Sequence, residues 1–534
     1  VLYGSQAFSG VINIVTKSAS LNTVSVSAAL GTDLHNNVTA HANYKFGDFG
    51  LVVAGRYADR SGWETTWEAP QINPMTGGPF VDANGTPIID RVKVDIPDYG
   101  PGLFGELSFK GIKAMVSYNQ WTNHYFVPDY QGYAKNFHPI STDATGDIVW
   151  TKLFGDIGYE HTFNDIYSAS INATYTRSQL ETKSFPNNER DGYEIVVEQT
   201  NFFIPVENFK ITLGEVWGFM TGEEGNTITK QKVNKDHNQN TFSSYLQADY
   251  KWNWVKAIGG IQMNKVEGFD ADFNPRGGLI LYPIDNVNIK ALYSVAYRAP
   301  SLDELYLDDP TMRGQMVERN DNDIIKERKL KPEKVNTFDL GLNYQDSTVQ
   351  FGINGFHSKL KNLIIQDRDL SHYSIPTWDN IGDVTIFGLE CEGKAYLTRE
   401  ILVEGSFLYQ ESRDENTSEE NVTPLPTFSV KGGVSYMGHG LTVSAFNTYS
   451  QALDERYSAK LNKTNKYINM LNLYCSYDFN ELIKSSFLKN LSLVLSVDNL
   501  LDEEIWLPAW GLNLGSTIPY NEGRVIYGGF KFSF

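Results

Sequence analysis

A side-chain period of two runs through nearly the whole chain, and helical periodicity is almost absent. Tyr167, Ala169, Ile171, Ala173 and Tyr175 alternate with Ser168, Ser170, Asn172, Thr174 and Thr176. Val287, Ile289, Ala291, Tyr293 and Val295 alternate with residues that include Asn288, Lys290 and Ser294. Phe242, Leu246, Ala248 and Tyr250, and later Leu491, Leu493, Leu495 and Val497, repeat the pattern against polar partners. Successive side chains of a strand point to opposite faces, so each segment has one apolar and one polar side.

The connections alternate in length. Short turns fall near Gly47-Asp48, Lys110-Gly111, Asn164-Asp165, Val206 to Asn208, Trp252-Asn253, Ile284 to Asn286, Gln345 to Ser347, Thr398 to Glu400 and Met437 to Gly440, with a longer tenth at Asn480 to Asn490. Between them lie long or polar connections at 58–100, 120–147, 178–191, 221–240, 264–272, 301–331, 362–384, 410–428, 450–466 and 502–523. Ten turns join twenty strands, and an opening strand near Thr23 to Leu30 and a closing one, Arg524 to Phe534, make twenty-two. A propeller would repeat at a fixed period of about 40–45 residues, which these spacings do not. A stack of sandwiches would carry turns evenly on both edges. Short turns on one side, long loops on the other and an even strand number describe an outer-membrane barrel. The fold expected is all-β: a 22-stranded antiparallel transmembrane β-barrel.

Hydropathy agrees. No apolar run exceeds seven residues (Phe49 to Gly55), so no helix spans a bilayer, which needs about 20. A membrane strand needs only about 10 alternating residues. Phe46, Phe49, Phe109, Phe163, Phe209, Trp252, Trp254, Tyr282, Tyr344 and Tyr436 sit beside the turns, where an interfacial girdle belongs. Glu390 and Glu392 flank Cys391 and are expected to face inward, because a carboxylate facing lipid is costly. The closing strand puts Phe530, Phe532 and the terminal Phe534 on one face.

A formal charge of −19 argues against a general nucleic-acid binder. Two cysteines, Cys391 and Cys475, are too few for a disulfide framework and read as small apolar side chains. No nucleophile elbow, zincin helix or P-loop is present, so no enzyme and no resident cofactor or metal are expected.

Several segments resemble the TonB-dependent outer-membrane receptors, in the order in which that family carries them. The opening Leu2 to Lys17 (LYGSQAFSGVINIVTK) is similar to the end of the family's plug domain. Asn274 to Leu279 (NPRGGL), Tyr297 to Leu302 with Glu304 to Tyr306 (YRAPSL and ELY) and Leu330 to Glu333 (LKPE) resemble its mid-barrel motifs. Asn380-Ile381-Gly382, Gly388-Leu389-Glu390, Asn499-Leu500 with Asp502, and Gly523-Arg524 resemble later ones. The resemblance implies a short plug remnant over residues 1–18, a barrel over 19–534, and a chain that is processed or is a piece of a longer product, since signal peptide and TonB box are not in it. It singles out Arg298, Ala299, Pro300, Glu304, Pro332 and Glu333 as motif residues. It makes Phe530, Phe532 and Phe534 a C-terminal signal for the barrel assembly machinery. It implies TonB with its inner-membrane energising complex as partner, outer-membrane lipids as surroundings, and uptake of a scarce nutrient.

The expected nutrient is a ferric siderophore or other iron chelate. Alternatives are haem, cobalamin (vitamin B12) or passive flow through a porin. Substrate capture is expected in the loops at 58–100 and 120–147, which carry Trp63, Trp67, Phe80, Trp121, His124, Tyr125, Phe126, Tyr130, Tyr133, Phe137 and His138. Rings offer large contact area to planar or catecholate ligands at low entropic cost. Haem needs an axial ligand such as His or Tyr. The loop after the Arg298 motif has no His, which leaves His124 and His138. Asp308-Asp309 and Asn320 to Asp323 form an acidic loop that lacks the Gly and distal Glu of a Ca²⁺ loop and is expected to be solvated.

Overall fold

A computed structural model describes residues 16, 22–60, 63–70, 81–86, 88–96, 98–125, 146–182, 188–226, 232–309, 312–313, 330–367, 377–423, 425–451, 465–481, 490–508, 517–521 and 523–533. The wall begins as a meander of β1 (Thr23–Gly31), β2 (Asn36–Phe46), β3 (Phe49–Asp59), β4 (Asp98–Phe109) and β5 (Ile112–Tyr125). It continues through β6 (Gly146–Thr162), β7 (Tyr167–Thr182), β8 (Asn188–Val206), β9 (Phe209–Asn226), β10 (Lys232–Trp252) and β11 (Val255–Val266). Next come β12 (Asp272–Ile284), β13 (Val287–Arg298), β14 (Glu333–Gln345), β15 (Val349–Asp367), β16 (Thr377–Tyr396) and β17 (Ile401–Asp414). It ends with β18 (Phe428–Gly438), β19 (Leu441–Gln451), β20 (Tyr467–Asp478), β21 (Leu491–Asp498) and β22 (Val525–Ser533). Each strand pairs antiparallel with the next, and β1 pairs with β22 from Ser25↔Ser533 to Gly31↔Tyr527. The sheet is thereby closed, with no unpaired edge for lipid to meet.

Register fixes the faces. Val24, Val26, Leu30, Val53, Leu103, Ile157, Ile171, Leu340, Val434, Leu493 and Leu495 are exposed and lie on the outer face. Polar neighbours one residue away turn inward, such as Ser25, Thr212, Ser243 and Asn264, all buried. Exposed Phe46, Phe109, Phe163, Trp252 and Trp254 ring the turn end, as the girdle requires. Glu390 and Glu392 point inward and Cys391 outward, since Cys391 stands opposite Phe407 and one alternation from exposed Leu389. On the last strand Phe530 is 47 % exposed on the outer face, where it opposes Leu493. Phe532 shares that face, and Phe534 lies outside the described residues.

All ten expected turns join strands. The strands run furthest into the expected long connections at three places. β7 and β8 reach Thr182 and Asn188, β9 and β10 reach Asn226 and Lys232, and β15 and β16 reach Asp367 and Thr377. Above the bilayer both faces meet water, so the ladder continues without alternation and leaves no hydropathy signal. The 58–100 connection contains a hairpin, Trp63–Pro70 with Ile89–Ile96.

The β1–β2 connection caps the closing seam. His35 is fully buried there, 3.4 Å from the Tyr527 hydroxyl, and Gly31 donates its N–H to the His35 carbonyl at 2.7 Å. Burial holds the His35 pKa below its ordinary 6.5, with Asp33 opposing. The folded pKa is thus depressed, so the unfolded chain takes up the proton first as pH falls. The stability carried by neutral His35 is present above about pH 6.5 and declines below it. Amide exchange at residues 31–36, corrected for intrinsic rate, is expected to speed up between about pH 7.5 and 5.5, and to do so less in His35→Gln. A profile unchanged by that substitution would contradict it.

Candidate functional site

At the loop end of the cylinder the motif residues meet as a lock. The Arg298 guanidinium donates from both Nη atoms to the Glu304 carboxylate, at 3.0 and 2.9 Å, while its Nε bonds Glu333. Glu333 also accepts the Ile364 N–H at 2.7 Å, joining β13, β14 and β15 at one point. Glu304 lies on α1 (Leu302–Tyr306), a single turn closed by a reciprocal capping box with Ser301. That Ser-x-x-Glu spacing is a readable helix start. Pro300 is fully buried. Below the turn, Leu305, Leu330 and Ile364 form a small apolar core with Phe269, Tyr306 and Trp378 packed against it.

The remaining motif residues fasten other loops. Asn380 accepts the Lys331 N–H at 2.7 Å and donates to the Lys331 carbonyl at 2.9 Å, which holds the backbone beside Pro332. Asp502 accepts the Arg524 N–H at 2.8 Å, and Asn499 exchanges bonds with the Glu503 backbone. Gly523 has φ +90°, and a Cβ there would stand 2.7 Å from an Asp502 oxygen, so only glycine fits that corner. These residues set where the loops leave the wall.

Of the aromatic candidates, Trp121 lies at the mouth of the lumen. Trp121 on β5 stands opposite Trp150 on β6, both on the inner face. Trp150 is 48 % exposed and donates its Nε1–H to Asn123 at 3.1 Å. One row lower, exposed Arg56 and Lys152 face the lumen from β3 and β6, with Gly102 and Asn119 between them. At about 4.8 Å per strand the two positions stand some 14 Å apart along that row, Lys152 directly below Trp150 and Arg56 two strands from Trp121. Asp98 and Glu194 stand within electrostatic reach of them. Trp63 and Trp67 lie on the loop hairpin, opposite Ile96 and Val92, and that hairpin packs beside β5. His124 and Tyr125 end β5, paired with Asp147 and Gly146. Phe80, Phe126, Tyr130, Tyr133, Phe137 and His138 lie outside the described residues, as do Asn320 to Asp323. Asp308–Asp309 forms a two-residue strand against Met312–Arg313.

Sequence reasoning missed Trp150, Arg56 and Lys152. Each sits inside a strand, and only the pairing of β3 to β6 brings them under Trp121. At the other end of the chain, Thr16 donates from its hydroxyl to Glu106 at 2.7 Å, and Lys113 lies 3.1 Å from the same carboxylate. Glu106 faces inward and is buried, so Thr16 touches the inner wall.

Comparison with known proteins agrees with this geometry. The ferric enterobactin receptor PfeA of Pseudomonas aeruginosa superposes with TM-score 0.74 at 16 % identity, over 99 % of this chain and 83 % of that one. The ferric-catecholate import receptor Fiu of E. coli gives 0.69 at 14 %, over 98 % and 83 %. The iron transporter FrpB of Neisseria meningitidis gives 0.68 at 13 %, over 96 % and 82 %. At such identities the likeness is one of fold. The family model described as "TonB dependent receptor-like, beta-barrel" matches residues 97–500, well over half of the chain. The chain therefore belongs to the TonB-dependent receptors of the bacterial outer membrane.

Proposed function

We propose that this barrel takes up a ferric siderophore, or another anionic iron chelate with aromatic arms, at the expense of energy delivered through TonB. The observation that carries the reading is the mouth of the lumen, where Trp121 and Trp150 stand one row above Arg56 and Lys152. A ferric catecholate is a set of aromatic rings with net negative charge, and such a patch offers it stacking surface and cations together. The named neighbours that bind or import ferric enterobactin and ferric catecholates support the same class. Residues 1–18 serve as the end of a plug, and the Thr16 contact with Glu106 favours a gated receptor over a passive porin. Phe530, Phe532 and Phe534 serve as the signal for the barrel assembly machinery.

Binding separates the substrates. Outer membranes from cells expressing the chain are titrated with a ferric tricatecholate, haem and cobalamin, each followed by its visible band. Saturable binding of the iron chelate alone is expected. Arg56→Ala with Lys152→Ala should weaken it about tenfold or more, since a bond to a charged group is worth about 1.5–3 kcal/mol. Binding of haem or cobalamin in its place would remove the iron reading.

A further inference from the structure

The outer face of the wall is apolar at mid-height around almost all the described strands. A polar island on β8 to β10 breaks it. Gln199 pairs in register with Glu215, and Glu215 with Ser244, while Asn201 lies one alternation below Gln199. Glu215 points outward, because Leu213 and Trp217 on the same face are 41 % and 44 % exposed and the intervening Thr212 faces inward, buried. It stands about six residues above the β8–β9 turn, or roughly 14 Å at about 45° of tilt, near the middle of an apolar band about 25 Å tall. Leu213 and Leu246 lie below it, and Trp217 and Phe242 above.

Among the described residues nothing donates a hydrogen bond or a positive charge to the Glu215 carboxylate. Other outward polar pairs among the described residues are closed on themselves, Asn447 with Asn469 at 2.8 Å and Gln120 with Thr151 at 3.3 Å. Lipid tails offer no donor at this depth, and a glutamate is too short to reach the headgroups. A neighbouring protein offers the donor that lipid does not.

We propose that this sector of the wall is where a second copy of the chain docks within the membrane. Gln199 and Glu215 stand side by side at one height, on adjacent strands. A twofold axis parallel to the barrel, passing between β8 and β9, sets each Gln199 amide against the partner's Glu215, and each Glu215 against the partner's Gln199. The patch is therefore self-complementary, as a closed dimer requires. One Gln199 N–H is used within the chain, on Asn201 at 3.1 Å, and the second remains for the partner. Just above, a shallow depression of about 570 Å³ floored by Trp217, Phe219 and Phe242 extends the contact with apolar surface.

Cross-linking in intact cells tests this. In a chain carrying Cys391→Ser and Cys475→Ser, Leu213→Cys treated with a short bis-maleimide is expected to give a covalent dimer. Val434→Cys, on a distant part of the wall, is expected to give none. Gln199→Glu sets carboxylate against carboxylate and should abolish the dimer. Adding Glu215→Gln should restore it, because the twofold recreates each contact with the roles exchanged. Heat-dependent gel mobility reports that each barrel is folded, and if Gln199→Glu is not, the Leu213→Cys result decides alone. No dimer from Leu213→Cys, an adduct only with a different polypeptide, or a folded exchange pair that stays monomeric would overturn the proposal.

Discussion

Arg298→Ala is expected to free the 299–332 connection from the wall, at a cost of about 3–5 kcal/mol, because it leaves two buried carboxylates without their cation. Glu304 and Glu333 are both buried, and each also holds a backbone N–H, of Ser301 and Ile364 respectively. Loss of the guanidinium thus loosens α1, the start of β14 and the upper part of β15 together. Limited proteolysis of the folded protein in detergent should show cleavage in this connection rising by about two to four orders of magnitude. The barrel below should keep its heat-dependent mobility, since its ladder does not pass through Arg298's side chain. Cleavage at the wild-type rate would mean that the cluster fastens nothing.

The second large effect lies on the wall. Val434 is 51 % exposed on the outer face near mid-height of β18, and its neighbour Ser435 turns inward to bond Ser444 at 2.8 Å. Val434→Arg is expected to destabilise the barrel by about 2–4 kcal/mol, the cost of a guanidinium near the bilayer midplane. Ser435→Arg, one residue away, faces the wet lumen and should cost far less. Urea unfolding in lipid vesicles measures both. Equal costs would mean that the two faces do not meet different media.

The two faces were legible because the membrane writes them into the chain. Apolar and polar residues alternate wherever lipid lies on one side and water on the other, so all ten turns and both closing strands could be placed. Where that contrast ends, so does the signal, and the upper ends of β7 to β10 were read as loop. The hairpin at Trp63–Pro70 was missed for the same reason, having no apolar band to betray it. The motif residues could be named but not connected. Arg298 and Glu333 are separated by the whole 299–332 connection, and only the β13–β14 register brings them together. Trp150, Arg56 and Lys152 were invisible as a site because each is unremarkable in its own strand. Glu215 had a readable signal, a carboxylate between Leu213 and Trp217 in an alternating run, but its meaning depends on Gln199 standing beside it.

Energised uptake of an iron chelate is the activity proposed for this barrel. Accumulation of radiolabelled iron, supplied as a ferric tricatecholate to iron-starved cells, tests it most directly. Cells carrying the gene for this chain should accumulate the label, and cells lacking the gene should not. Removal of TonB or collapse of the proton gradient should abolish accumulation while leaving surface binding intact. Accumulation that persists without TonB, or that is the same with and without the gene, would contradict that activity.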